Sequence, residues 1–173
     1  MENSVIEIVT YRPEHQPWFE KLNRDWIEKF FWMEPLDFEV LQNPETHILK
    51  PGGFLFMALY RKEVAGTVAL KFVEPGVYEF TKMAVDERFR GKKVGEILSK
   101  VAIVKAKETG ARKFILYSNT KLNAAINLYK KLGFVEIPLD GPYKRSDIKM
   151  ELKLPNPFKL KFHKLNKGVI GLT

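Results

Sequence analysis

The segment Arg88-Phe89-Arg90-Gly91-Lys92-Lys93-Val94-Gly95 follows an apolar strand-like run and precedes a helix-like one. The first N–H groups of a helix have no intrahelical acceptor, and the helix dipole makes that end positive. Gly91 and Gly95 would let backbone come close to a ligand there. Arg88, Arg90, Lys92 and Lys93 add four cations. Together these features suit a pyrophosphate; the bland alternative is a solvated basic loop. The segment lacks the Gly-Lys-Ser/Thr ending of a Walker A loop, and its preceding strand belongs to a meander, unlike a Rossmann unit.

Other chemistries find little support. The chain has no cysteine, which excludes disulfides, thiolate metal sites and cysteine nucleophiles. His15, His47 and His163 are widely separated, so no metal site is expected. No run approaches the ~18 apolar residues of a membrane span, and the first ten residues do not read as a signal peptide. A cytoplasmic protein with no membrane partner is expected.

The loop needs a scaffold, and 173 residues that are 45% hydrophobic and 29% charged suit one globular domain. The net charge of +8 is uneven: −5 over residues 1–50, +9 over 51–154 and +4 over 155–173. Alternation over 4–12 predicts a strand. Pro13 opens a helix whose apolar stripe is Phe19, Leu22, Trp26, Ile27 and Phe30. A shorter helix is expected over Asp37–Lys50, interrupted at Asn43-Pro44. Strands 53–61, 64–73 and 77–85 form an antiparallel meander with turns at Arg61-Lys62-Glu63 and Glu74-Pro75-Gly76. After the basic loop, Val94, Ile97, Leu98, Val101 and Val104 define the apolar face of a helix ending at Gly110. Strand 113–118, helix 122–133, strand 134–139 and strand 146–154 complete the order. The expected fold is α/β (α+β): a mixed, mostly antiparallel central sheet with helices on both faces. The tail 155–173 reads as an edge strand, a docked tail or a partner-binding segment.

Residues 85–99, VDERFRGKKVGEILS, resemble motif A of the GCN5-related N-acetyltransferases. In that family an Arg/Gln-x-x-Gly-x-Gly/Ala loop wraps the coenzyme A pyrophosphate. Arg90 fills its first position and Gly95 its last, while Lys93 stands where the pattern has Gly. AINLYKKLGF (125–134) resembles motif B, and the element order is similar over residues 5–154. The resemblance implies an acyl-CoA N-acyltransferase fold over 5–154, with 155–173 as a basic extension outside it.

The same resemblance implies acetyl-CoA as co-substrate, bound by Arg90, Gly91, Lys92, Lys93, Val94 and Gly95. It also implies contacts from the backbone of a bulged strand at Met83, Ala84 and Val85 and from Asn119 and Asn123. Glu79 lies where histone-modifying members carry a general base. On the strand, alternation places Glu79, Thr81, Met83 and Val85 on one face. An apolar setting would raise its pKa, which suits base chemistry; binding the substrate cation or a structural ion pair are its alternatives. Tyr129 is the acid for the departing thiolate by resemblance, and a core residue by periodicity alone. Glu20, Asp25, Glu28, Glu34, Asp37 and Glu39, with Trp18, Trp26, Phe30, Phe31 and Trp32, suggest a cationic amine acceptor. Most of these also read as an ordinary amphipathic helix.

The expected function is acetyl transfer from acetyl-CoA to a primary amine of a small molecule, peptide or protein. The alternative is a non-catalytic acetyl-CoA sensor of the same fold. Nucleic acid is not the expected partner, because the aromatics are not interleaved with the cations. A homodimer is left open.

Overall fold

The computed structural model describes residues 5–156. The chain runs β1 (Ile6–Thr10), α1 (Gln16–Phe30), α2 (Pro35–Gln42), β2 (Phe54–Tyr60), β3 (Glu63–Glu74), β4 (Val77–Val85), α3 (Val94–Glu108), β5 (Lys113–Ser118), α4 (Asn123–Lys131), β6 (Val135–Ile137) and β7 (Ile148–Lys153). The strands form one sheet in the order β1-β2-β3-β4-β5-β7-β6. Only β4 and β5 pair in parallel, with α3 between them in sequence; every other pairing is antiparallel. The expected mixed, mostly antiparallel sheet is therefore present, and the element order is the predicted one.

The strand period of two divides the core. Ala58, Val68, Leu70 and Phe80 pack with Leu98 and Ala102 of α3 and Ile126 of α4. Leu55, Met57 and Ala69 pack with Phe19 of α1 and Leu41 of α2. Helices thus cover both faces. Of the predicted α1 stripe, Phe19, Leu22 and Ile27 are buried, while Phe30 is 44% exposed.

Several local expectations shift. The helix expected over 37–50 is α2 followed by a separate π-type turn, Glu45–Leu49, with Pro44 at the break. The first hairpin turn is Arg61-Lys62 alone, both at positive φ, because Glu63 already pairs with Tyr60. On α3, Val94 and Leu98 are buried as predicted, but Val104 is 53% exposed. The buried face instead uses Ser99, Ala102, Ile103 and Ala106. Small side chains allow a close approach to the sheet, and Gly66 of β3 shows how close. A Cβ there would stand 2.9 Å from Leu98 Cδ1 and 3.0 Å from Val94 Cγ1. The reading of the tail falls on residues 157–173, which lie outside the described residues.

Candidate functional site

The site forms where β4 leaves β5. The two strands pair only from Val77↔Lys113 to Phe80↔Leu116. Beyond that point β5 continues to Ser118 against β7, whereas β4 continues to Val85 against β3. A cavity of about 640 Å³ occupies the gap, lined by residues 79–85 of β4 and 116–119 of β5 and beyond.

A bulge steers β4 within this gap. Ala84 pairs with Thr67 and Thr81 with Ala69, so two β4 residues, Lys82 and Met83, oppose Val68 alone. Lys82 takes φ +52° to accommodate the extra residue. The bulge reverses the facing of the strand. Phe80 packs on Tyr129, with ring centroids 5.4 Å apart, on the α3 and α4 side. Met83 Sδ, 3.3 Å from Ser99 Oγ, points to the same side. Glu79 and Met83 therefore do not share a face, contrary to simple alternation; the inserted residue accounts for the change.

The basic loop is built at the start of α3. Asp86 Oδ1 accepts the Arg88 N–H at 2.9 Å, and Phe89 is buried against Tyr60, centroids 5.2 Å apart. Gly91 (φ +73°) and Lys93 (φ +64°) then turn the chain into the helix. Lys93 occupies a left-handed conformation that costs an L-residue about 1–2 kcal/mol and glycine almost nothing. Its carbonyl accepts the Ile97 N–H at 3.0 Å. The amides of Val94, Gly95 and Glu96 thus precede the helical ladder and remain available to an anion. A Cβ on Gly95 would meet nothing nearer than Val85 Cγ2 at 3.6 Å, so protein packing does not demand a glycine there. Arg90 lines the cavity, with its guanidinium 3.3 Å from Glu87.

Glu79 is buried, at 4% exposure. Desolvation raises its pKa, against the opposing pull of Lys71, Tyr143, Lys82 and Lys149. Tyr143 Oη donates to Glu79 Oε2 at 3.1 Å, and Lys71 Nζ lies 3.4 Å from Tyr143 Oη. Tyr129 is also buried on the cavity wall, and burial alone raises its pKa, so its hydroxyl is protonated at neutral pH. Its ring packs between Phe80 and Phe134.

Asn119 and Asn123 both line the cavity. Asn119 spends Oδ1 on the Lys121 N–H (2.9 Å) and Nδ2 on the Arg145 carbonyl (2.7 Å). Asn123 is the first residue of α4 and is exposed.

The acids of the N-terminal region behave differently from the aromatics. Trp26, Phe30 and Phe31 line the cavity; none of the six acids does. Asp25 pairs with Lys21, and Glu20 and Glu28 pair with Arg24. Asp37 is buried beneath Lys82 and Arg145. Burial would raise its pKa, but bonds from Arg145, the Glu34 N–H and Lys82 hold it below the usual carboxylate range. Lys82, Tyr143 and Arg145 are wall residues that the sequence does not single out. Two of them sit in the irregular connection between β6 and β7, where periodicity carries no signal.

The fold and site define a coenzyme A-type acyltransferase architecture, and the comparisons agree. The family model of the Acetyltransferase (GNAT) family matches residues 13–134. The chain belongs to that family. It is similar to N-acetylaspartate synthetase of Mus musculus, 28% identical over 122 residues, which are 69% of this chain and 41% of that protein. It is also similar to the uncharacterized N-acetyltransferase YobR of Bacillus subtilis (strain 168), 29% identical over 130 residues, covering 74% and 50%. The chain thus spans half or less of the length of these curated relatives. A GNAT-family acetyltransferase structure from Staphylococcus aureus Mu50 superposes with TM-score 0.79 at 22% identity, covering 87% of this chain and 99% of that one. The PaiA N-acetyltransferase of Thermoplasma acidophilum, solved in complex with coenzyme A, gives 0.68 at 20% identity, covering 86% and 99%. Among the described residues no helix is long and apolar enough to cross a membrane.

Proposed function

We propose that the chain is an acetyltransferase that moves the acetyl group of acetyl-CoA to a primary amine, with residues 5–154 as the catalytic unit in the cytoplasm. The observation that carries this reading is the gap between β4 and β5. It has a buried carboxylate, Glu79, on one wall and, at Arg90, adjoins a helix start with free amides. The residues fit the co-substrate: Gly91 and Gly95 leave space above the backbone, and Arg90, Lys92 and Lys93 supply charge for a pyrophosphate.

In this reading the backbone N–H groups of Met83 and Val85, beside the bulge, hold the pantetheine arm and the thioester carbonyl, while that of Ala84, like the Asp86 N–H on the Ala65 carbonyl, faces β3. A fixed N–H aimed at the carbonyl oxygen is worth most as negative charge develops there. Asn123 contacts the arm, and Asn119 shapes the turn beneath it. Bound acetyl-CoA supplies an activated thioester. Glu79 takes a proton from the acceptor ammonium, and its burial-raised pKa brings it toward the working pH. The amine nitrogen then bonds to the acetyl carbon as the carbon–sulfur bond breaks. Tyr129 directs its hydroxyl to the departing sulfur. A thiol pKa near 8.5 lies well below that of a buried tyrosine, so its contribution is a hydrogen bond to developing thiolate with proton transfer late or from solvent.

The test is calorimetry with CoA followed by thiol release from acetyl-CoA with a panel of amines. Saturable CoA binding, lost in Gly95→Glu by clash and charge, and amine-dependent thiol release are expected. Indifference to millimolar CoA removes the reading. Binding without turnover on any amine replaces it with the sensor alternative.

A further inference from the structure

Four charged side chains, Asp37 buried and the other three half-buried, close the cavity at its Glu79 end, and they are layered. Asp37 and Glu34 of the α2 region lie behind; Lys82 of the β4 bulge and Arg145 of the β6–β7 connection form the wall. All four side chains are 18% exposed or less. Asp37 is saturated. Its Oδ1 accepts Lys82 Nζ at 3.2 Å and Arg145 Nη2 at 2.9 Å, and its Oδ2 accepts Arg145 Nη1 and the Glu34 N–H.

The cations are not saturated. An ammonium has three donors and a guanidinium five. Among the described contacts Lys82 uses one donor, on Asp37, and Arg145 places its bonds on Asp37 and the Trp32 carbonyl. The Trp26 indole N–H, on another wall residue, is buried with no acceptor. A ligand in this end of the cavity thus meets a surplus of N–H donors, although Asp37 and Glu34 balance the two cations in charge. Glu79 is the one carboxylate on the described wall.

We propose that the acceptor is a small amine that also bears a carboxylate, which Lys82 and Arg145 receive while the amine faces Glu79. This deepens the acetyl-transfer reading and rests on it. A carboxylate would make charge-assisted bonds with donors whose desolvation cost the fold has already met. A second cationic group at that place would face donors where it needs acceptors. Burial holds the Lys82 ammonium below the usual lysine range, and an incoming anion would relieve that cost. Trp26, Phe30, Phe31 and Tyr143 suit an apolar side chain beside the two polar groups. The cationic acceptor suggested by the acids of α1 and α2 is disfavoured, because those acids do not reach the cavity.

The test uses acceptor triads built on alanine, leucine and phenylalanine: the amino acid, its amide and its decarboxylated amine. Thiol release should favour the carboxylate member of at least one triad by ~10-fold or more in kcat/KM, mainly through KM. Lys82→Gln should shrink that ratio towards one with CoA affinity unchanged. If that variant does not fold, Arg145→Lys, which keeps the charge and loses the fork, should shrink it partially. The matched carboxylate without an amine, such as 3-phenylpropionate for phenylalanine, should inhibit competitively against the amine. An amino-terminal aspartyl dipeptide amide distinguishes a peptide acid from a free one; preference for it over every free amino acid overturns the small-molecule assignment. Amides or simple amines turning over as well as the amino acids overturn this inference alone. No turnover in any triad, with CoA bound, overturns it together with the transfer activity.

Discussion

Tyr143 donates its hydroxyl hydrogen to Glu79 Oε2 across 3.1 Å, joining residues 64 positions apart. The contact ties the connection before β7 to the middle of β4. It also stabilises the ionised form of a carboxylate that burial pushes toward the neutral one. The two effects oppose each other at a single atom, and burial is the larger.

Tyr143→Phe removes the opposing bond and leaves the burial. The Glu79 pKa then rises further, and the acidic limb of kcat/KM moves to higher pH. At the optimum the loss should be about tenfold, the lower end of the ~1.5–3 kcal/mol of a hydrogen bond to a charged group, because the Lys71 charge still favours the ionised carboxylate. A pH–rate profile on a fixed acceptor checks it; an unmoved limb would separate Tyr143 from proton removal.

Glu79→Gln should cut the rate ~10²–10⁴-fold and flatten the same limb, with CoA affinity unchanged. It also carries a stability signature. The folded chain holds the Glu79 proton more tightly than the unfolded chain does. Stability therefore falls as pH rises from the ordinary glutamate value of 4.5 through the raised one. Glutamine escapes that loss. Thermal melts should place the variant above the wild type at pH 7, with the gap closing at pH 4. A gap independent of pH would mean that the carboxylate is not desolvated.

Tyr129→Phe keeps the ring between Phe80 and Phe134 and deletes only the hydroxyl. Turnover should fall about tenfold, equivalent to ~1.4 kcal/mol of transition-state stabilisation, with CoA affinity and Tm unchanged. Single-turnover measurements at saturating CoA distinguish this from slower product release.

Lys93 can be split into charge and shape. Lys93→Gly removes the left-handed strain of about 1–2 kcal/mol but costs about 0.5–1 kcal/mol in unfolded-state entropy. The net gain of ~0.5 kcal/mol corresponds to roughly 1–2 °C in Tm. Lys93→Ala keeps the strain. Both should weaken CoA by about two- to fivefold through the lost cation, while only glycine raises Tm. Equal melts for the two variants would discount the strain.

The signals that single out the basic loop are local: glycines, cations and a strand-to-helix transition within eight residues. The order of elements is equally local, since each strand and helix carries its own period. Three features escaped for a different reason. The reversal of facing in β4 depends on one extra residue opposite Val68, which has no compositional mark in VYEFTKMAV. The buried face of α3 is chosen by Ser99, Ala102 and Ala106, whose small size serves close approach, and a search for bulky apolar residues passes over them. The bond between Asp37 and Arg145 spans 108 positions, and only the folded sheet brings the partners together. Glu79 and Tyr129 stand out through resemblance, since by periodicity one is a strand residue and the other a core residue.

Gly66 makes no contact with the cavity, yet it sets the height at which α3 rides over the sheet. A single methyl group at that position would act as a wedge under Val94 and Leu98, tilting the front of the helix outward. The mouth between the helix and β4 would widen by the same movement, and the amides of Val94, Gly95 and Glu96 would move with the helix. The aperture of the site is thus gauged from beneath, by a residue whose contribution is the absence of a side chain.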